Sequence, residues 1–262
     1  AAPLIVAQIA VIGMAVTDTL MAGRASAIDL AGVAVGAGVF TPIVVFIIAL
    51  ITGITPILSQ QFGAKQHEQL GESSRQGIWL ALLLGVIASI LLQIALFYID
   101  LIDADQEVLG VAQGYLQVIL FGLPGLACQF ALRSFCEAQG DTKPTMWVNG
   151  GAFLLNILLD YALVFGEFGL PQMGGVGCGI ATAVLHWLAL IAFLLISRRK
   201  RYRKAKLYHR FSPPSLKGLH DIVRVGLPSA IGVAGEAAFF SVSALLIVSL
   251  GVAVVSAHQS TM

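Results

Sequence analysis

The chain is short of charge. Asp, Glu, Lys and Arg make up 11% of its 262 residues, against about 25% in a typical soluble domain, and 58% of the residues are hydrophobic. That balance excludes an ordinary water-soluble domain. Long uncharged runs recur from end to end, so the expected fold class is all-α, a polytopic transmembrane helical bundle. Cysteine is scarce too. Cys128, Cys136 and Cys178 are odd in number and lack metal-ligand spacing, which makes them packing residues. His67, His186, His209, His220 and His258 are scattered over unrelated segments, and no nucleophile stands with a base, so no enzyme is expected. The glycine cluster GGVGCG at 174–179 has neither the Lys nor the Ser/Thr of a phosphate loop and reads as helix packing. No basic region precedes the first apolar run, so Ala-Ser-Ala at 25–27 is not read as a signal-peptide cleavage site. Both ends of the sequence are expected to be truncated.

What is present is a series of apolar runs. Spans are expected over 3–22, 30–58, 78–98, 108–132, 144–165, 176–197 and 225–250, with an eighth opening near 252. Pro42 and Pro56 should kink the second span, and Gly32 and Gly36 suit close helix contact. The polar stretch 59–77 and residues 133–143 read as loops. Asp100, Asp103, Asp105 and Glu107 read as a solvated acidic turn, because calcium-loop spacing is absent. After the basic run RRKRYRKAKLYHR at 198–210, Leu216, Leu219, Ile222 and Val223 share one face of an amphipathic piece expected to lie in the membrane interface.

The distribution of charge gives an orientation, although the net charge of +1 identifies no partner. With the N-terminus in the cytoplasm, helix parity assigns Lys65, Arg75, Arg133, Lys143 and the ten basic residues from Arg198 to Arg224 to the inside. Only Arg24 is left outside, one of the 15 Lys and Arg. The bias matches the positive-inside rule, which also explains the basic run without nucleic acid. The expected location is therefore a multi-pass plasma (inner) membrane protein with a cytoplasmic N-terminus.

Polar residues inside the spans carry the functional signal. Asp18 lies about five residues, roughly 7 Å, below the outer end of its span. Asp160 and Thr182 each lie about six residues below theirs, so three polar groups from three helices occupy one depth. Asn156 stands one turn from Asp160 on the same face. Ionisable groups within a membrane mark function, and desolvated carboxylates sharing one site can take up and release a proton near neutral pH. Glu236 sits near mid-membrane in the seventh span without an obvious acidic companion. His186, Gln8, Gln93, Gln113, Gln117 and Gln129 read as interhelical hydrogen-bonding groups. Pro3 and Pro228 each open a span with one carboxylate, an offset of 225 residues that points to a six-helix repeat and the start of a second.

VTDTLMAG closing the first span, PILSQQFGA after the second, FALRSFCEAQGDTKP between the fourth and fifth, LLNILLDYALVFG, GGVGCGIATA and SAHQ together resemble the multidrug and toxic compound extrusion (MATE) family, most closely its bacterial NorM-type branch. The resemblance implies a twelve-helix antiporter of two six-helix lobes. Such a protein exports organic, often cationic, compounds in exchange for H+ or Na+. It implies that 1–197 is the first lobe, 198–224 a basic cytoplasmic link and 225–262 the start of a second lobe, most of which is missing as a partner. Asp18, Asn156, Asp160 and Thr182 then match the first-lobe ion-coupling cluster, Pro3 matches the helix-bending proline, and Glu236 matches a sodium-associated site of the second lobe. No cofactor is implied beyond the coupling ion, with Na+ able to bind at Asp18/Asp160 or at Glu236. The partners implied are small-molecule organic substrates and the lipid bilayer. The alternatives are a lipid-linked oligosaccharide flippase of the same superfamily, which would need basic residues in its cavity, and an ion channel, which would need a filter or a ring of charge.

Overall fold

A computed structural model of the protein describes residues 2–99, 105–209 and 212–249; within these, the side chains of 234 and 237–249 are not described. The described residues form helices with no strand. Six helical segments are long and apolar enough to cross a membrane. They are α1 (Ala2–Ala25), α2 (Ala27–Thr52) with its continuation α3 (Ile54–Gly63), α4 (His67–Phe97), α5 (Gln106–Ala138), α6 (Lys143–Phe165) and α7 (Gly175–Ser197). A further helix, α8 (Leu216–Ser249), covers the seventh expected span. The eighth expected helix and its SAHQ motif lie outside the described residues, as do Asp100 and Asp103.

The bundle is arranged around α5. Its most apolar window is 61% buried, against 17% for α1, because α4, α2 and α7 all pack on it. Pairing of α1 with α6 and of α6 with α7 completes the group. The main core runs along α5 through Leu109, Ala112, Leu116, Ile119 and Leu123, the i, i+3/i+4 positions of one buried stripe.

Local chemistry sets the helix ends. Ser26 caps α2: its Oγ accepts from the Asp29 backbone N–H at 2.9 Å and donates to Asp29 Oδ2 at 2.6 Å. The other oxygen, Asp29 Oδ1, accepts from the Gly175 N–H at 2.6 Å and so caps α7, far away in sequence. Gly174, at φ +53°, makes this approach possible, since a Cβ there would collide with the Asp29 carboxylate. The glycine cluster is a packing element, with Gly177 set against Leu163 and Gly179 against Tyr115.

Four expectations are corrected. The second span covers Ala27–Gly63 rather than 30–58. It is interrupted at Gly53, as the proline at 56 led one to expect, because Pro56 has no N–H to offer the Thr52 carbonyl, and α3 restarts with Pro56 in its first turn. Pro42 stays inside α2. The polar stretch 59–77 is largely helical, and Leu70, Ser74 and Gln76 are buried. The piece 216–223 is not separate from the seventh span but forms the first turns of α8, with Ile222 buried in the core beside Leu219 and Val223. Arg133 is not in a loop, since α5 continues to Ala138.

The polar start of α4 is folded because the basic link folds onto it. Arg75 donates from Nε to Ser212 Oγ at 2.9 Å, from Nη1 to the Lys206 carbonyl at 3.1 Å, and from Nη2 to Glu72 Oε2 at 2.6 Å. Gln76 Nε2 donates to the Pro213 carbonyl, and Trp79 Nε1 to the Ser212 carbonyl. Hydrogen bonds to a charged group contribute about 1.5–3 kcal/mol. Arg75→Gln is therefore expected to raise local opening of this segment about tenfold or more. Limited trypsin cleavage between 199 and 206, timed against wild type, measures it; equal rates would mean that Arg75 does not hold the link.

Candidate functional site

Five helices, α1, α2, α5, α6 and α7, line a partly open cavity of about 360 Å³. Its wall is mostly apolar, and its polar residues include Asp18 and Thr19 from α1, Asn149 and Asn156 from α6, and Thr182 and His186 from α7. Asp18, half-buried, stands at the centre of a small network. Asn156 Nδ2 donates to Asp18 Oδ1 at 2.9 Å, and Thr182 Oγ1 donates to Asp18 Oδ2 at 3.4 Å. The Cys178 thiol points at the Asp18 backbone carbonyl at 3.7 Å.

Asp160 is fully buried, and Asn156 is 1% exposed. Neither oxygen of Asp160 has a hydrogen-bond donor among the described residues, and Asn156 Oδ1 has none either. The polar groups beside Asp160 are the carboxyl of Asp18 and the amide of Asn156. A carboxyl–carboxyl contact is a hydrogen bond only when a proton sits between the two acids; with both ionised it is a repulsion. No Lys or Arg forms an ion pair with either acid among the described residues. The site thus gathers two acids with no fixed countercharge, and both Asp160 oxygens and Asn156 Oδ1 lack a donor, an environment in which a shared proton or a small cation would relieve the repulsion.

The helices bring these groups together for simple reasons. Asn156 and Asp160 are four apart on α6 and share its face toward α1. Thr182 follows Cys178 by the same interval on α7. The chain's expected site residues therefore divide. Asp18, Asn156, Asp160 and Thr182 converge. Glu236 does not, for it is exposed on α8, a helix that packs on α2, α3 and α4 rather than on α1, α6 or α7. Pro3 stands in the first turn of α1, away from the four converging residues.

Sequence reading missed Tyr115 and Arg133 at this site and gave His186 only as an interhelical hydrogen-bonding group. Tyr115 on α5 lines the cavity and is 4% exposed; a tyrosine within an apolar run gave no signal, although Gly36 and Gly179, both packed on its ring, mark room made for it. His186 lines the cavity one turn from Thr182, and its Nε2 is shut from solvent without a partner among the described residues. Arg133 also reaches the cavity wall, because α5 runs past 132, where its span was expected to end. Its charge is matched on the spot: Nε donates to Glu137 Oε1 at 2.7 Å, the oxygen that also accepts from Thr145 Oγ1 at 2.8 Å. Among the described residues no group of three or more His, Cys, Asp and Glu side chains is placed to hold a metal.

Comparison with known proteins agrees over the whole chain. A family model described as MatE matches residues 3–162. The multidrug resistance protein NorM of Vibrio cholerae is 38% identical over 261 residues, covering 99% of this chain and 57% of that protein. The multidrug resistance protein MdtK of Photorhabdus laumondii is 37% identical over 262 residues, covering 98% of this chain and 57% of its own length. Among solved structures, MATE in complex with MaD3S superposes with a TM-score of 0.86 at 23% identity, over 98% of this chain and 58% of the other. A MOP superfamily transporter from Pyrococcus furiosus gives 0.84 at 24% identity, over 99% and 57%. The chain spans little more than half the length of each of these proteins.

Proposed function

This chain belongs to the MatE family, transporters rather than enzymes, and from that membership we propose that it forms the ion-coupling part of a secondary antiporter that exports organic, often cationic, compounds from a bacterial cell. The observation that carries the proposal is the meeting of Asp18 and Asp160 with Asn156 and Thr182, two acids without a fixed positive charge, with both Asp160 oxygens and Asn156 Oδ1 lacking a donor among the described residues. One H+ or Na+ bound there removes the repulsion between the carboxylates, and its release restores it. A cationic substrate in the adjoining cavity is attracted to the same negative charge, so ion and substrate oppose each other's binding. Exchange follows when the two bind with different strengths to inward-open and outward-open states.

The six spans make this a multi-pass membrane protein. In the proposed topology it sits in the inner membrane with its N-terminus in the cytoplasm, since that arrangement puts the basic link on the cytoplasmic side. Residues 1–197 then form the first lobe, 198–224 the link and 225–262 the opening of a second lobe, whose remainder completes the substrate path. Arg133 does not turn the cavity toward a pyrophosphate-carrying lipid, because Glu137 already neutralises it.

The test is efflux of a fluorescent cationic dye from vesicles containing the full-length transporter, driven by an imposed H+ gradient or an imposed Na+ gradient. Efflux driven by H+ and unchanged by Glu236→Gln is the expected outcome. Efflux driven only by Na+ and lost in Glu236→Gln would move the coupling site to α8 and end the proposal.

A further inference from the structure

The link between α7 and α8 sorts its basic residues into two sets. Arg198 lies over the Tyr208 ring at 5.3 Å, Arg201 pairs with Asp141 at 3.3 Å and Lys206 pairs with Glu68 at 2.6 Å. These hold the link to the bundle. Arg199, Lys200, Arg203 and Lys204 are exposed, and among the described residues none has an ion pair, hydrogen bond or aromatic partner.

The backbone explains the division. Residues Lys200–Ala205 form a 3-10 helix, whose three-residue turn places i and i+3 in one stripe. One stripe, Tyr202 and Ala205, is 2% and 1% exposed and packs into the core, where Tyr202 donates to Asp141 Oδ2 at 2.8 Å and its ring lies 5.7 Å from that of Phe135. The other two stripes, Lys200 with Arg203 and Arg201 with Lys204, must therefore face outward. Lys206, at φ +51°, ends the helix in a conformation held by the hydrogen bond from Arg75 to its carbonyl. The cations are thus carried on a fixed support rather than on a loose tail.

Their level is fixed as well. The 23 residues of α7 end at Ser197 and extend about 34 Å, slightly more than the roughly 30 Å hydrocarbon core. Ser197 Oγ hydrogen-bonds the exposed Tyr208 hydroxyl at 2.6 Å, which sets an aromatic ring at the depth where tyrosines gather in membranes. Residues 199–204 then stand where lipid phosphates lie.

We propose that Arg199, Lys200, Arg203 and Lys204 form a preformed binding site for the head groups of anionic phospholipids. Phosphate oxygens meet two guanidinium groups and two ammonium groups, and the net negative charge of the lipid supplies the selectivity. Each basic group close to an anionic membrane surface strengthens binding about fivefold.

The experiment uses the full-length transporter in zwitterionic detergent, titrated with acyl-labelled phosphatidylglycerol or acyl-labelled phosphatidylcholine. Wild type should prefer phosphatidylglycerol on the order of a hundredfold, and R199Q/K200Q/R203Q/K204Q should lose that preference while keeping its thermal midpoint, since the four side chains support nothing. A control, Lys217→Gln/Arg224→Gln, also removes two basic charges from the chain but should keep the preference within about fivefold. Equal preference in wild type and the quadruple variant would overturn the proposal, leaving these charges a role in topology alone. So would displacement of phosphatidylglycerol by millimolar inorganic phosphate or a short oligonucleotide, which would make the patch a site for soluble anions.

Discussion

Asp18→Asn in the full-length transporter is expected to abolish gradient-driven efflux while leaving the protein folded and still able to bind dye in the largely apolar cavity, though more weakly. The amide is the same size as the carboxylate, and its oxygen can still accept from Asn156 or Thr182, so the packing of α1 against α6 and α7 survives. What is lost is the ionisable partner of Asp160, hence the repulsion that a bound ion relieves. A coupling free energy of about 3 kcal/mol corresponds to roughly 150-fold between the affinities of the two states, and loss of drive on that scale is the expected result. Initial efflux rates at equal protein in the membrane, with dye binding measured separately by fluorescence anisotropy, provide the check. Asn156→Leu should be milder, about tenfold, since it removes one charge-assisted hydrogen bond and leaves both acids. Undiminished coupled efflux in Asp18→Asn would sink the proposed site, whereas loss of dye binding and of folded protein together would mark Asp18 as structural.

The second large effect is expected where α2 and α8 touch. A Cβ on Gly53 would fall on the Cα and N of Gly226, and a Cβ on Gly226 would fall on the Leu50 carbonyl, so two backbones meet with no side chain between them. Gly53→Leu must push α8 away from α2 and so separate Ala230 from Ala49 and Leu50, with which it forms a small buried cluster. Overpacking costs about 1–3 kcal/mol in general, and a clash with backbone belongs at the top of that range, a fall in thermal midpoint on the order of 5–10 °C. Gly53→Ala should show a smaller fall of the same sign. A scan of both variants in detergent decides it; an unchanged midpoint for Gly53→Leu would mean that the contact is not made in the folded protein.

The spans were legible because the bilayer imposes one length and one polarity on every crossing. The convergence of Asp18, Asn156 and Thr182 was legible as well, since depth follows from counting residues at 1.5 Å each. Other features left no trace in local sequence. Arg133 looked like a loop residue because a charge usually ends a span; it sits on a helix because Glu137, one turn on, neutralises it. The polar start of α4 looked like a loop because its partners, Ser212 and Pro213, are supplied about 137 residues later. Tyr115 could not be distinguished from an aromatic facing lipid, since that choice depends on how α5 is rotated against α2 and α7.

The bond between Asp18 and Asn156 joins residues 138 apart, and this has a consequence for biosynthesis. At about 5–20 residues per second, α6 emerges from the ribosome on the order of ten seconds after α1. During that time α1 carries its aspartate without the amide that will hold it. Eight of its residues are Leu, Ile or Val (Leu4, Ile5, Val6, Ile9, Val11, Ile12, Val16 and Leu20), worth about −2 to −5 kcal/mol for insertion, against a cost for the off-centre Asp18 that rises to about +2.5 to +3.5 kcal/mol only at a helix centre. The Asp takes back a large part of the gain. The first helix of this bundle is thus a marginal guest of the membrane when it is made, and becomes a resident only when α6 arrives beside it.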